Sequence, residues 1–272
     1  MFIRRSLFMG ILRSLGILGL LALGLGSAQA ASVDCSRVYT LALHDHGLLY
    51  SADTDSGIDK DVADELIRRS GCKVTVSLMP RARIWQLIES GALDLSLSGI
   101  ENAERRRFAG FAWYFSNKYY LLVRNDAKIT RLSDFEKNTQ LQLGVIRGFR
   151  YSESANSLVD SLQEDNRVNQ SGGLAPLYQA FLQNHIQAMI IEPFDFPALE
   201  EEKIRSISAI LPFRDPAVPH GLIMSRKSLT EAQQAQWRGL IDAMLQDGSM
   251  LRIFKKYFKP DLAAALVNFS VP

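Results

Sequence analysis

The sequence is poor in cysteine, in histidine and in any surplus of charge. Two cysteines and four histidines stand among 272 residues, so one disulfide is the most the chain can form. No phosphate-cradling glycine loop, metal-ligand spacing or nucleophile–base–orienter set is visible. Low-complexity tracts and short repeats are missing as well. The formal charge is only +2, which gives no general attraction for nucleic acid or anionic lipid.

What is present begins with an export signal. Arg4 and Arg5 make a positive start, Leu15 to Gly26 is uninterrupted and apolar, and Ala28-Gln29-Ala30 fits a cleavage site. The apolar run, about a dozen residues, is short of the ~20 a membrane span needs. Residues 1–30 therefore read as a signal peptide cleaved after Ala30, which places the mature chain in the periplasm. Losing three arginines and no acid takes the formal charge from +2 to −1. Ser32-Val33-Asp34 before Cys35 lacks the residues of a lipoprotein processing site. An oxidising compartment favours pairing Cys35 with Cys72, each of which sits just before a predicted strand.

From Val38 onward, strands and helices alternate. "VYTLAL" reads as a strand, and Asp59 to Ser70 as a helix with Val62, Ala63, Leu66 and Ile67 on one face. "KVTVSL", a helix from Arg83 to Ser90, and "LDLSLSG" follow. Later strands are Tyr119 to Arg124, "LQLGVIRG", "QAMIIEP", "ISAILPF" and "HGLIMS". Helices are expected at Tyr151 to Gln163, Pro176 to Gln183, after Ser228, and from Met250 to Phe258, with a capping box at Ser133-Asp134-Phe135-Glu136. One βα set, a second and then closing helices imply two α/β lobes. The first lobe takes residues 31–120 and the closing segment 221–272, and the second takes 121–220. The chain is expected to cross near Tyr120–Arg124 and His220–Met224. In open sheets of this kind ligands bind beyond the carboxyl ends of the strands, where Ser96, Ser98, Gly99, Arg105 and Arg106 stand.

In this order, "GIDKDVADEL", "IWQLIESGALDLSLSG", "NAERRRFAGF", "LGVIRG" and "MLQDGSMLRIFKKYF" resemble the periplasmic solute-binding proteins of the amino-acid-binding type, family 3. The resemblance covers nearly the whole mature chain. It implies a two-lobed type II periplasmic-binding clamshell, each lobe a mostly parallel sheet flanked by helices, with two hinge crossovers. It also implies a monomer without cofactor or metal. Such a protein captures a small carboxylate-bearing solute between its lobes and delivers it to an ABC-type membrane permease. Two other readings share the scaffold: a dehydratase-like enzyme using Glu192 or Glu101, and a sensory or accessory binder.

Carried over position by position, the resemblance puts the strand-end pair at Ser98 and Gly99. The carboxylate-gripping arginine falls at Arg105 or Arg106, because a planar guanidinium matches a carboxylate bidentately. The second-lobe turn falls at Gly148 with Phe149 or Arg150, and the acid for a ligand amine at Glu192. Arg81 stands where the family carries an aromatic, and "HDHGLLYS" replaces its usual first loop. Asp45 is the expected polar lining of the mouth, and His44 and His46 face the same way without a third metal ligand in view. Tyr50, Trp113 and Tyr114 are candidate walls, of which one or two are expected to serve. Asp94 reads as a structural residue at the far edge of the first lobe.

Overall fold

The computed structural model describes residues 32–269; the expected signal peptide and cleavage site lie outside them. Two five-stranded sheets divide the chain. The first is built from β1 (Tyr39–Leu43), β2 (Val74–Leu78), β3 (Leu95–Gly99), β4 (Ala109–Asn117) and β10 (Val218–Ser225), in the order β2-β1-β3-β10-β4. The second holds β5 (Tyr120–Arg124), β6 (Leu143–Ile146), β7 (Val168–Ser171), β8 (Ala188–Ile191) and β9 (Ser208–Pro212), in the order β7-β6-β8-β5-β9. Helices α1 (Ile58–Ser70) and α2 (Arg81–Ser90) are the crossovers between parallel strands of the first sheet. In the second lobe, α3 (Leu132–Lys137), α4 (Glu153–Glu164), α5 (Leu174–Leu182) and α6 (Phe196–Glu201) follow in order. Helices α7 (Glu231–Gln246), α8 (Ser249–Phe254) and α9 (Pro260–Val267) close the chain.

Period-two alternation explains why both sheets are covered on both faces. In β5, Leu121 and Val123 enter one core with Phe135, Leu143 and Leu162. Leu122 enters the opposite core with Phe181 and Met189. In β1, Tyr39, Leu41 and Leu43 pack with Val62, Leu66, Trp237, Ile241 and Phe254. Ala42 faces Ile84, Trp85 and Ile88 on α2. The periodic helix α1 thus lands where its apolar stripe predicts. At the far edge of the first lobe, Asp94 pairs with Arg37 and accepts the Thr40 N–H at 2.9 Å, the structural part expected of it.

Each sheet is parallel only over three strands. β10 runs antiparallel to β3 and β4, and β5 antiparallel to β8 and β9. The chain passes between sheets at residues 118–119 and 213–217. The expected crossovers near Tyr120–Arg124 and His220–Met224 fall just before these segments, which are themselves strands hydrogen-bonded within one sheet. By sheet membership, residues 120–212 form the second lobe, while 32–117 and 218–269 form the first. At α3 the expected capping box at Ser133 does not form. Arg131 occupies the cap position, and its guanidinium holds Asp134 at 3.0 Å. β4, β7, α6 and α9 did not register as elements in the sequence.

Cys35 and Cys72 are joined by a disulfide. They precede β1 and β2, which pair in register from Tyr39↔Val74, so the sheet itself brings the sulfurs together. The bridge closes a loop with a sequence separation of 37 residues, worth ~4 kcal/mol in the chain-entropy treatment. Replacing both cysteines by alanine should lower unfolding free energy by roughly that amount in a denaturant titration. An unchanged midpoint would show that the bridge contributes nothing.

Candidate functional site

The cavity between the lobes is narrow, with about 20 Å³ of free space. The first lobe lines it with His44, Leu49, Arg81, Trp85, Ser98, Ile100, Arg105 and His220. Gly148, Phe149, Arg150 and Glu192 come from the second lobe, and Tyr119 from the first crossing. Strand ends position these groups: β1 leads into His44, β3 into Ile100, β6 into Gly148 and β8 into Glu192. The strands' carboxyl ends from both lobes therefore meet, as the topology requires.

Arg105 resolves the choice within the arginine turn. Its backbone N–H is held by the Asn102 side chain at 2.8 Å, which turns the side chain inward, where it is only 8 % exposed. The guanidinium lies over the Trp85 indole, 3.9 Å from the ring centroid. It donates to the Ile100 carbonyl at 3.0 Å and, across the cleft, to the Gly148 carbonyl at 2.7 Å. Burial pushes its pKa down to about 9, so it is cationic at neutral pH. Arg106 points outward and pairs with Glu101.

Arg81, at the first turn of α2, is 5 % exposed. It donates to the Leu97 carbonyl at 2.9 Å and to His44 Nδ1 at 2.7 Å. Burial, partly offset by Asp59, brings its pKa to about 10. His44 is kept neutral by burial and by the Arg81 charge, and so can accept that bond. Glu192 is buried, with one oxygen taking His46 Nε2 at 2.8 Å and the other Asn117 Nδ2 at 2.8 Å. Burial pushes the Glu192 pKa up, but the bond and charge of His46 prevail and hold it below the usual range.

Other expected residues take different parts. Gly99 is buried outside the lining, and a Cβ there would sit 2.2 Å from Ile223 Cγ1; its smallness serves strand packing. Ser98 lines the cavity, but its hydroxyl donates to Asp59 at 2.6 Å and its N–H to Tyr114 at 2.8 Å. Tyr114 is thus a buried strut beneath the floor. Tyr50 turns away to bond Asp55 at 3.0 Å, and Trp113 stacks on Phe111 away from the cavity. Asp45 is exposed, accepts the Ala52 N–H at 3.1 Å and borders the outer grooves instead. His44 and His46 share a face, their rings stacked at 5.5 Å. Trp85, Tyr119 and His220 are additions. Trp85 was within reach of the sequence, lying one helical turn from Arg81, whereas the other two depend on how the crossings meet.

The lobes touch closely at Gly148. Its φ is +84°, and a Cβ there would lie 2.8 Å from the Ala82 Cα on α2. Phe149 beside it packs against His46 at 4.9 Å and His44 at 5.6 Å between ring centroids. Gly148→Ala should hold the lobes apart, since both the left-handed backbone and the contact with α2 oppose a side chain. Small-angle scattering should show a larger radius of gyration with unchanged far-UV dichroism; an identical scattering profile would contradict the contact.

His220 stacks on Phe115 at 4.5 Å, and its Nε2 lies 3.1 Å from the Tyr119 hydroxyl. Burial depresses its pKa from 6.5 to about 4. The unfolded chain therefore takes up a proton that the folded one refuses. The resulting contribution is complete above pH 6.5 and is lost as pH falls toward 4. His220→Phe should flatten this acid limb by up to ~3 kcal/mol in denaturant titrations, whatever its stability at neutral pH. A limb of wild-type steepness would show that the imidazole is not the group responsible.

Comparison with solved structures returns the same architecture. A substrate-binding protein of an ABC uptake transporter from Streptococcus pneumoniae, with bound histidine, superposes with a TM-score of 0.68 at 17 % identity. That match covers 81 % of this chain and 92 % of the other. The arginine-, lysine-, histidine-binding protein ArtJ of Geobacillus stearothermophilus gives 0.69 at 15 % identity, over 84 % and 99 %. A solute receptor for L-cysteine from Neisseria gonorrhoeae gives 0.67 at 18 % identity, over 85 % and 96 %. No curated protein matches by sequence. The profile of one family matches residues 48–260, most of the described chain. With the two-lobed fold already in view, that match decides the matter: the chain belongs to the bacterial extracellular solute-binding proteins, family 3.

Proposed function

We propose that this protein captures a small carboxylate-bearing solute, an amino acid or a related acid, between its lobes in the periplasm. In this reading the signal peptide is removed after Ala30, and the protein works as a monomer that passes its solute to an ABC permease. The observation that carries the reading is Arg105. Its guanidinium is buried at the meeting of the lobes, with carbonyl oxygens as its only hydrogen-bond acceptors among the described residues. A buried cation of that kind is stabilised by an anion brought into the gap. Groups from both lobes converge there, so a ligand touching both sides favours the shut arrangement over the open one.

The role proposed is capture rather than turnover. Both oxygens of Glu192 are already committed to His46 and Asn117, which leaves this acid poorly placed to relay protons to a substrate. The amino-acid-binding neighbours support a ligand of the same general size. In that frame the arginine would take the carboxylate, with the Gly148–Phe149–Arg150 turn and Glu192 closing from the opposite lobe.

The test begins with mass spectrometry of molecules released on denaturing freshly purified protein. Thermal unfolding follows, in the presence of the standard L-amino acids and short carboxylic acids. A ligand at ~100 times its dissociation constant should add ~2.7 kcal/mol of stability. Arg105→Ala should remain folded by circular dichroism and lose this shift, whereas Arg106→Ala should keep it. A full shift in Arg105→Ala would refute the assignment.

A further inference from the structure

We propose that the cavity takes a small dicarboxylate, one carboxylate on Arg105 and the second on Arg81. This rests on the solute-binding reading above and narrows it. A single carboxylate matches one guanidinium; here two buried guanidinium groups line one space.

Neither of the two forms a close ion pair with an acid among the described residues, although the Asp59 charge partly offsets the burial of Arg81. Their hydrogen-bond acceptors are the carbonyls of Leu97, Ile100 and Gly148 and the ring of His44, all neutral groups. Arg167 shows what a structural buried arginine in this chain looks like. It spends Nε and both terminal nitrogens on four carbonyls and has Asp165 at 3.9 Å. Arg81 and Arg105 use only their terminal nitrogens, so most of the five N–H groups of each fork stay available.

The remaining charges sharpen the point. Glu192 is the acid on the lining, and its two oxygens are bound to His46 and Asn117. Asp59, behind Ser98, accepts from Ser98 and Tyr114, and burial pushes its pKa up to about 6. Arg150 adds a third cation at the rim. The lining thus carries an excess of positive charge that a monocarboxylate leaves partly unanswered, whereas a dicarboxylate meets both forks bidentately. The Trp85 indole fixes the plane of the Arg105 fork, and the Phe149 ring lies 5.8 Å from the Arg81 guanidinium carbon. The lobes are nearly shut over these groups, leaving about 20 Å³ of free space, so the acid enters only as they part.

Matched pairs differing in one charge test this directly by titration calorimetry on the purified protein. L-glutamate is compared with L-glutamine, L-aspartate with L-asparagine, succinate with butyrate and glutarate with valerate, and inorganic phosphate is run beside them. At least one pair should favour the dicarboxylate by about 30-fold or more, the size expected of a desolvated charge pair. Arg81→Gln should bring that preference within about threefold while Arg105 still holds the monocarboxylate. Arg81→Lys should recover part of the preference, having the charge without the fork. The wild-type comparison needs no variant to fold. Equal binding within every pair, preference for the uncharged member, binding of none, or binding of phosphate alone would each overturn the proposal. The solute-binding reading fails separately, through the released-ligand mass spectrum and the Arg105→Ala result.

Discussion

Arg105 is buried on the strength of two backbone carbonyls, one from each lobe. Everything around it is arranged to make that tolerable. Asn102 turns the residue inward, Trp85 supplies a flat surface beneath the guanidinium, and Gly148 brings its carbonyl close because it carries no Cβ. Removing a cation from water is expensive unless opposite charge or good hydrogen bonds compensate. Neutral carbonyls offset only part of that cost. The same imbalance places the arginine where both lobes must approach to satisfy it.

The acids of the region are withheld from the cavity by a second set of interactions. His46 stands between Glu192 at 2.8 Å and Asp195 at 3.6 Å. Asp195 and Glu192 together raise the imidazole's pKa against the downward push of burial. His46 follows β1 in the first lobe, while both carboxylates belong to the second, so this cluster also spans the cleft. Ser98 and Tyr114 occupy Asp59 in the same manner from below. Fully bonded polar groups of this kind are stiff and specific about geometry. The cleft therefore presents its cations while keeping its anions occupied.

The sequence showed the lobes well because their signals are local. Val62, Ala63 and Leu66 mark the buried face of α1, and the alternation in "LDLSLSG" marks β3. β4 escaped notice because it is buried on both sides, "AGFAWYFSN" having no polar alternation to betray a strand. α9 is short, and Pro260 at its first helical position marks its start. At the site, topology pointed to the strand end before Arg105 and Arg106 without choosing between them, and the family resemblance supplied Gly148 and Glu192. The directions of Ser98, Tyr50 and Gly99 were not legible. The Ser98 and Tyr50 hydroxyls answer to Asp59 and Asp55, and Gly99 leaves room for Ile223, residues distant in sequence or separated by a turn whose shape no periodicity records.

The return of β10 and the last three helices to the first sheet has a consequence for how the molecule forms. The second sheet draws all its strands from one continuous stretch, whereas the first must wait for β10 to lie between β3 and β4. Contacts distant along the chain close later than near ones, because more chain entropy is lost in making them. As the polypeptide emerges amino end first, the middle portion can finish assembling while its predecessor is still missing a central strand. The inserted lobe then matures first, and the lobe that starts the chain is the last to be completed.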